Sequence, residues 1–359
     1  MMSATAANRQ SLGQDLSQDE TRVPWVDYAK GFCIIMVVLM NTTLGVEKAA
    51  GATSWLNGAI AFATPFRMPD FFMIAGLFLA RGIDRDWRGF LDGKLVHFLY
   101  FYLLWMTLQW GLKDAAPAAL GSGGQDGVLA AWLSGLWDPP GSLWFIYILP
   151  IFFVLAKLTR PLPPVLMLGL AALLQVIPRD TGWYIGDQFC ERFVFFLIGY
   201  YFAPRIFAFA RLVGAHRGLA LAGLGLWALV NGGFVMAGLE ATPGIGLVLG
   251  FIGALAVIAL AVLASGLPWF GLLRECGRHS LTIYLAFFLP MASLRVVLLK
   301  WGGIADLGTI SLLITIIAVL SPLVMQRMAH GTRLAFLFER PAFARLGGGR
   351  RRPSLQPAE

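Results

Sequence analysis

Three runs without a charged residue constrain this chain more than any other feature: residues 218–239, 241–273 and 307–326, which are 22, 33 and 20 residues long. A helix rises about 1.5 Å per residue, so about 20 apolar residues cross the ~30 Å hydrocarbon core of a bilayer. Core helices of soluble proteins do not sustain such lengths without a charge. Composition agrees, with 58% of residues hydrophobic and 13% charged, against about 25% charged in a soluble domain. Spans are expected near 29–47, 55–80, 95–112, 142–157, 162–178, 192–204, 218–238, 244–265, 280–299 and 307–326. The fold class is therefore an all-α, polytopic membrane helix bundle of about ten transmembrane helices. Residues 1–27 form a cytoplasmic arm, 28–330 one membrane domain, and 331–359 a basic tail whose Gly, Arg and Pro content predicts disorder.

The net charge of +8 raises the question of nucleic acid, and the placement of the charges answers it. On the ten-span scheme, 21 of the 28 lysines and arginines fall on the side of the N-terminus. That is the positive-inside bias, so both termini are predicted to be cytoplasmic and the expected partner is a lipid bilayer rather than nucleic acid. Nothing in the first 28 residues reads as a cleavable signal peptide, so the first span must direct its own insertion. Cys33, Cys190 and Cys276 fall at different predicted depths, and no disulfide is expected. The histidines at 97, 216, 279 and 330 show no metal-ligand spacing, and no metal site is expected.

The polar residues that remain inside the apolar mass carry the functional argument. In the second span, Pro65 and Pro69 interrupt the helix where Arg67 and Asp70 stand, which places an ionisable pair near mid-membrane. Asn41 lies 11 residues from Lys30, Asp70 11 from Arg81, Trp144 13 from Lys157 and Arg192 13 from Arg205. Each separation is a depth of roughly 16 to 20 Å on a straight helix. Four spans thus contribute to one predicted layer, as the lining of a cavity would. Plainer roles also fit: a structural ion pair for Arg67 and Asp70, interfacial positions for Glu191 and Arg192, an aromatic belt for Trp144, and an interhelical hydrogen bond for Asn41.

Five segments then point to a family. They are Val26-Asp27-Tyr28-Ala29-Lys30-Gly31, Arg67-Met68-Pro69-Asp70-Phe71-Phe72-Met73-Ile74-Ala75-Gly76, Leu143-Trp144-Phe145-Ile146-Tyr147, Glu191-Arg192-Phe193 with Phe196-Leu197-Ile198-Gly199-Tyr200, and Gly277-Arg278-His279-Ser280-Leu281-Thr282-Ile283-Tyr284-Leu285. In this order they resemble the acyltransferase 3 family of integral membrane proteins. The resemblance implies a multi-pass enzyme of a bacterial-type inner membrane. Such an enzyme binds no cofactor; it takes an acyl group, usually acetyl, from acyl-coenzyme A as co-substrate and delivers it to a hydroxyl of a carbohydrate or glycolipid acceptor.

On that resemblance Asn41, Arg67, Asp70, Glu191 and Arg192 are the candidate catalytic residues. Asp27, Lys30, Trp144, Tyr147, Ser280 and Tyr284 are the candidate substrate-binding residues. One departure stands out. The family's first span pairs a basic residue with a histidine after ten intervening residues, and here the matching positions are Lys30 and Asn41. An amide does not titrate near neutral pH as an imidazole does, so Asp70 or Glu191 would have to replace the histidine as base. The alternative is a divergent member that acts as a glycan or lipid transporter or as an assembly partner.

Overall fold

A computed structural model describes residues 23–80, 82–115, 128–177, 181–304 and 306–346. Every element among the described residues is helical. Helix α1, Pro24–Ala50, has proline in its first turn and ends on Gly51 at φ 71°. A proline there gives up a backbone N–H that would be unpaired anyway. The helix therefore begins before the expected start of the span, and Trp25, Val26, Asp27 and Tyr28 are buried within it. Around α1 pack α3 (Arg67–Leu77), α12 (Ile245–Ser265), α13 (Gly271–Arg278) and α16 (Leu307–Ala329).

The expected second span is broken. Helix α2, Leu56–Ala63, stops before Pro65, and α3 starts afresh at Arg67 with Pro69 in its first turn. Next come α4, Trp87–Leu91, a π turn, Asp92–Val96, and α5, His97–Ala115, of which Trp87–Leu112 qualifies as one continuous candidate span. Helix α6 is Val128–Gly135, α7 is Trp144–Leu158 and α8 is Pro164–Val176. Helices α9, Tyr184–Tyr201, and α10, Ala203–Ala215, meet at a 76° bend beside Pro204. Helix α11, Arg217–Met236, lies mostly exposed on the periphery. Helices α14, Ser280–Ala286, and α15, Phe288–Trp301, are bent by 49°.

Among the described residues, six helices are long and apolar enough to cross a membrane alone, or up to eight spans if each bent pair is one. The two expected spans outside that count are 55–80, which the proline break divides, and 162–178, whose helix has 13 residues. The expected span 192–204 also differs, because α9 begins at Tyr184. Its first turns carry Asp187 and Gln188, polar residues that hydropathy reads as loop. In the tail, residues 333–346 form two short turns that return to α4 and the π turn, whereas the arm 1–22 and residues 347–359 lie outside the described residues.

Close backbone approaches weld the core. Gly76 on α3 faces the Phe196 carbonyl and Tyr200 N–H of α9, and Gly199 on α9 faces the Met73 carbonyl of α3. Gly277 on α13 meets the Asp27 carbonyl and the Gly31 N–H of α1 in the same way. Small residues at such crossings let helix backbones touch where lipid supplies no hydrophobic force between them.

One pH response follows from the cap of α16. Asp306 Oδ2 accepts from Thr309 Oγ1 at 2.6 Å, Thr309 N at 2.7 Å and Trp55 Nε1 at 3.2 Å. These bonds, the Thr309 hydroxyl first, hold its carboxyl below the usual range. A depressed folded value means that the stabilisation is present above the ordinary carboxylate value near ~3.9 and fades as pH falls through the folded one. Asp306→Ala should lower the melting temperature at pH 7 and flatten its fall below pH 4. An unchanged acid limb in a thermal titration would refute the assignment.

Candidate functional site

Two of the cavities among the described residues hold sequence-predicted site residues, one beside Lys30 of α1 and one at the start of α9. The first, about 270 Å³, is walled by Phe71, Ile74 and Ala75 of α3, Phe98 of α5, Phe145, Ile146, Leu149 and Phe153 of α7, and Leu281 of α14. Its polar groups are Lys30 of α1, Lys94 of the π turn, and Ser280 and Tyr284 of α14. Lys94 Nζ stands 4.4 Å from the centre of the Phe153 ring and Lys30 Nζ 5.7 Å from that of Phe78. Both ammonium groups therefore lie along aromatic walls. The Tyr284 hydroxyl donates to the Ser142 carbonyl, which ties α14 to the turn before α7. Two ammonium groups above an apolar slot suit a ligand with an anionic head and an uncharged tail.

The second cavity, about 440 Å³, is lined by Thr64 and Pro65, by Gln175 at the end of α8, by Asp187, Glu191 and Arg192 at the start of α9, and by Glu240, Thr242 and Gly246 around the turn into α12. Arg192 pairs with Glu191 at 2.9 Å and donates to Gln188 Oε1 at 3.4 Å. Arg67 lies within electrostatic reach of Arg192 and Tyr184. Its Nε and Nη1 are shielded from solvent and make no hydrogen bond among the described residues. Trp144 is buried with its ring 6.0 Å from Tyr184 and 6.1 Å from Phe72. The cavity presents hydrogen-bonding groups of both kinds to whatever enters, and two nitrogens of the neighbouring Arg67 guanidinium are unpaired.

The expected single layer of polar residues divides into several places. Asp70 is 0% exposed and its Oδ2 accepts from the Cys33 thiol of α1. Cys33 precedes Asn41 by eight residues, so it sits about 12 Å nearer the start of α1. Counting from Arg81 overstated the depth of Asp70, because α3 ends at Leu77 and the chain turns through Leu79 and Gly82. Asn41 donates to the Val37 carbonyl of its own helix at 2.8 Å and is not among the residues of either cavity. The Tyr147 hydroxyl donates to the Leu136 carbonyl at 3.1 Å, and its ring rests 5.1 Å from Tyr102. Asp27, 3% exposed, lies with its Oδ2 3.6 Å from Arg278 Nε at the α1–α13 crossing.

Lys30, Ser280 and Tyr284 are thus brought together, as are Arg67, Glu191 and Arg192 with Trp144 beside them. Gln175, Asp187 and Glu240 belong to the second cavity and were not anticipated. Glu240 carried a signal, since it is the lone charge between two long uncharged runs. Lys94 reads in the sequence as one of four basic residues, with Arg81, Arg85 and Arg88, in a loop suited to the phosphates of coenzyme A, a cluster that the positive-inside bias explains equally well. Its place in the π turn and in the first cavity is seen only in the structure.

An acyltransferase domain model matches residues 23–326, which include both cavities and every helix from α1 to α15. The chain belongs to the acyltransferase 3 family. It is also similar to the inner membrane protein YcfT of Escherichia coli (strain K12), 24% identical over an alignment of 226 residues, which covers 56% of this chain and 62% of that relative. The chain thus spans under two thirds of the relative's length. No solved structure matches it. Within the family region, the glycines of the quoted segments are the close approaches: Gly31 and Gly277 at one crossing, Gly76 and Gly199 at another.

Proposed function

We propose that this chain moves an acyl group, acetyl first among candidates, from acyl-coenzyme A in the Lys30–Lys94 cavity to a hydroxyl of a carbohydrate or glycolipid in the Glu191–Arg192 cavity. The observation that carries the reading is the first cavity, whose two lysines and apolar slot match the phosphates and thin uncharged arm of a coenzyme A thioester. On the positive-inside reading that cavity faces the cytoplasm, where the donor is made.

In the transfer, the acceptor hydroxyl oxygen attacks the thioester carbonyl carbon, the C–S bond breaks and coenzyme A leaves as the thiol. Glu191 lines the acceptor cavity and takes the hydroxyl proton, with Arg192 holding its carboxylate in place. Asp70 is sealed against Cys33 and stays out of the proton transfer. Arg67 supplies a guanidinium to the carbonyl oxygen as charge develops on it. Phe71 and Phe145, with ring centres 5.2 Å apart, wall the donor cavity, and Trp144 packs against Phe72 at 6.1 Å and Tyr184 at 6.0 Å.

Protein reconstituted with labelled acetyl-coenzyme A and cell-envelope glycans should release coenzyme A. Lys30→Ala and Lys94→Ala should each raise the KM for the donor about tenfold, the size of a lost charge-assisted contact. Glu191→Gln should lower kcat about 100-fold, as for a lost general base. Unchanged KM in both lysine variants would overturn the donor assignment. The position of Asn41 favours a second reading, a divergent member that moves or assembles glycans or lipids. Flux of a labelled glycolipid across vesicles without coenzyme A release would select it.

A further inference from the structure

The C-terminal segment bears on the donor cavity without lining it. Arg340 Nη2 meets Asp92 Oδ2 at 2.7 Å, and its Nη1 donates to the Asp92 backbone carbonyl at 2.7 Å. That carbonyl also accepts from His97 N, the bond that closes the π turn Asp92–Val96. The other carboxylate oxygen, Asp92 Oδ1, accepts from Leu346 N at 2.7 Å. Arg88, one turn earlier, donates through Nη2 to the Leu346 carbonyl at 2.7 Å. Further along the helix, Trp105 Nε1 donates to the Leu337 carbonyl at 3.0 Å. The side chains of Arg340 and Asp92 are 10% and 24% exposed, so the pair is largely shielded from water.

Residues two apart on a helix point to opposite sides. Asp92 thus faces the C-terminal segment while Lys94 faces the donor cavity. A π turn holds one residue more than an α turn, and losing it would rotate the residues on one side by about 100° relative to the other. We propose that Arg340 is a positioning residue: by clamping both the carboxylate and the carbonyl of Asp92 it keeps the π turn wound and Lys94 aimed into the donor cavity, so that the C-terminal segment sets affinity for acyl-coenzyme A. The proposal rests on the function proposed above.

Steady-state kinetics of the full chain test it together with backbone hydrogen exchange. Arg340→Ala should raise the KM for acetyl-coenzyme A about tenfold, as Lys94→Ala does, with kcat within about twofold. The double variant should be no worse than Lys94→Ala alone, because both changes remove one function. Arg340→Lys should recover only part of the loss, since an ammonium cannot make the forked contact. Exchange at residues 92–96 should speed up in Arg340→Ala. Additive effects in the double variant, or a fall in kcat at constant KM, would overturn the proposal. So would unchanged exchange at 92–96. Faster exchange in a protein that turns over no acyl-coenzyme A would sink the functional reading and leave the clamp standing.

Discussion

Gly199→Val is expected to leave almost no folded protein in the membrane. A Cβ at this position would run into the Met73 carbonyl and lie 3.0 Å from the Met73 Cα, and these are backbone atoms that no rotamer change moves aside. Two further methyl groups force α3 and α9 apart along their whole contact. Gly76 on the other helix meets Phe196 and Tyr200 reciprocally, so the strain has no neighbouring gap to enter. Overpacking of a tight core costs about 1–3 kcal/mol, and more where backbone must shift. That is a large part of the ~5–15 kcal/mol that holds a typical domain together. Gly223→Ala is the matched control, because nothing lies within 4 Å of a Cβ there, and alanine favours the helix by up to about 1 kcal/mol. Detergent-extracted yield and thermal melting check both. Wild-type yield for Gly199→Val would show that the α3–α9 crossing is looser than described.

Arg67→Met is expected to separate stability from activity. The Arg67 guanidinium is half-buried, with Nε and Nη1 unpaired and the like charge of Arg192 near by. Sequestering an uncompensated cation costs free energy, and an apolar side chain of similar length avoids that cost. The variant should be more stable by about 1 to 3 kcal/mol. If the unsatisfied N–H groups are kept for the acyl carbonyl, the same change should lower kcat about 100-fold or more. A melting temperature below that of wild type would make Arg67 a structural residue after all. Full activity with raised stability would remove it from the reaction.

Much of the fold was legible in the residues. Uncharged runs of membrane length place α11, α12 and α16, because a helix is the backbone's way to satisfy its own hydrogen bonds in hydrocarbon. Pro65 and Pro69 announced the break between α2 and α3, since proline lacks the N–H and clashes with the preceding turn. Lys30, Ser280 and Tyr284 were found through the order of motifs and do share one cavity. Asp187 and Gln188 escaped because polar residues in the first turns of a helix read as loop when hydropathy alone is counted.

What the sequence by itself determined was the helical class, the membrane setting and the family, all of which depend on composition and on segments of consecutive residues. What only the tertiary structure decided was how the polar residues divide. Depth along a chain is a one-dimensional count and assumes straight helices. Here α3 stops short of Arg81, α9 starts early and a π turn rotates Lys94, so each local departure moves a side chain to a different neighbour. Asp70 met Cys33 rather than Asn41, Arg67 met Arg192, and Arg340, 248 positions along the chain from Asp92, came to stand behind the donor cavity. Contacts of that kind arise from packing between helices distant in sequence, where no local pattern records them.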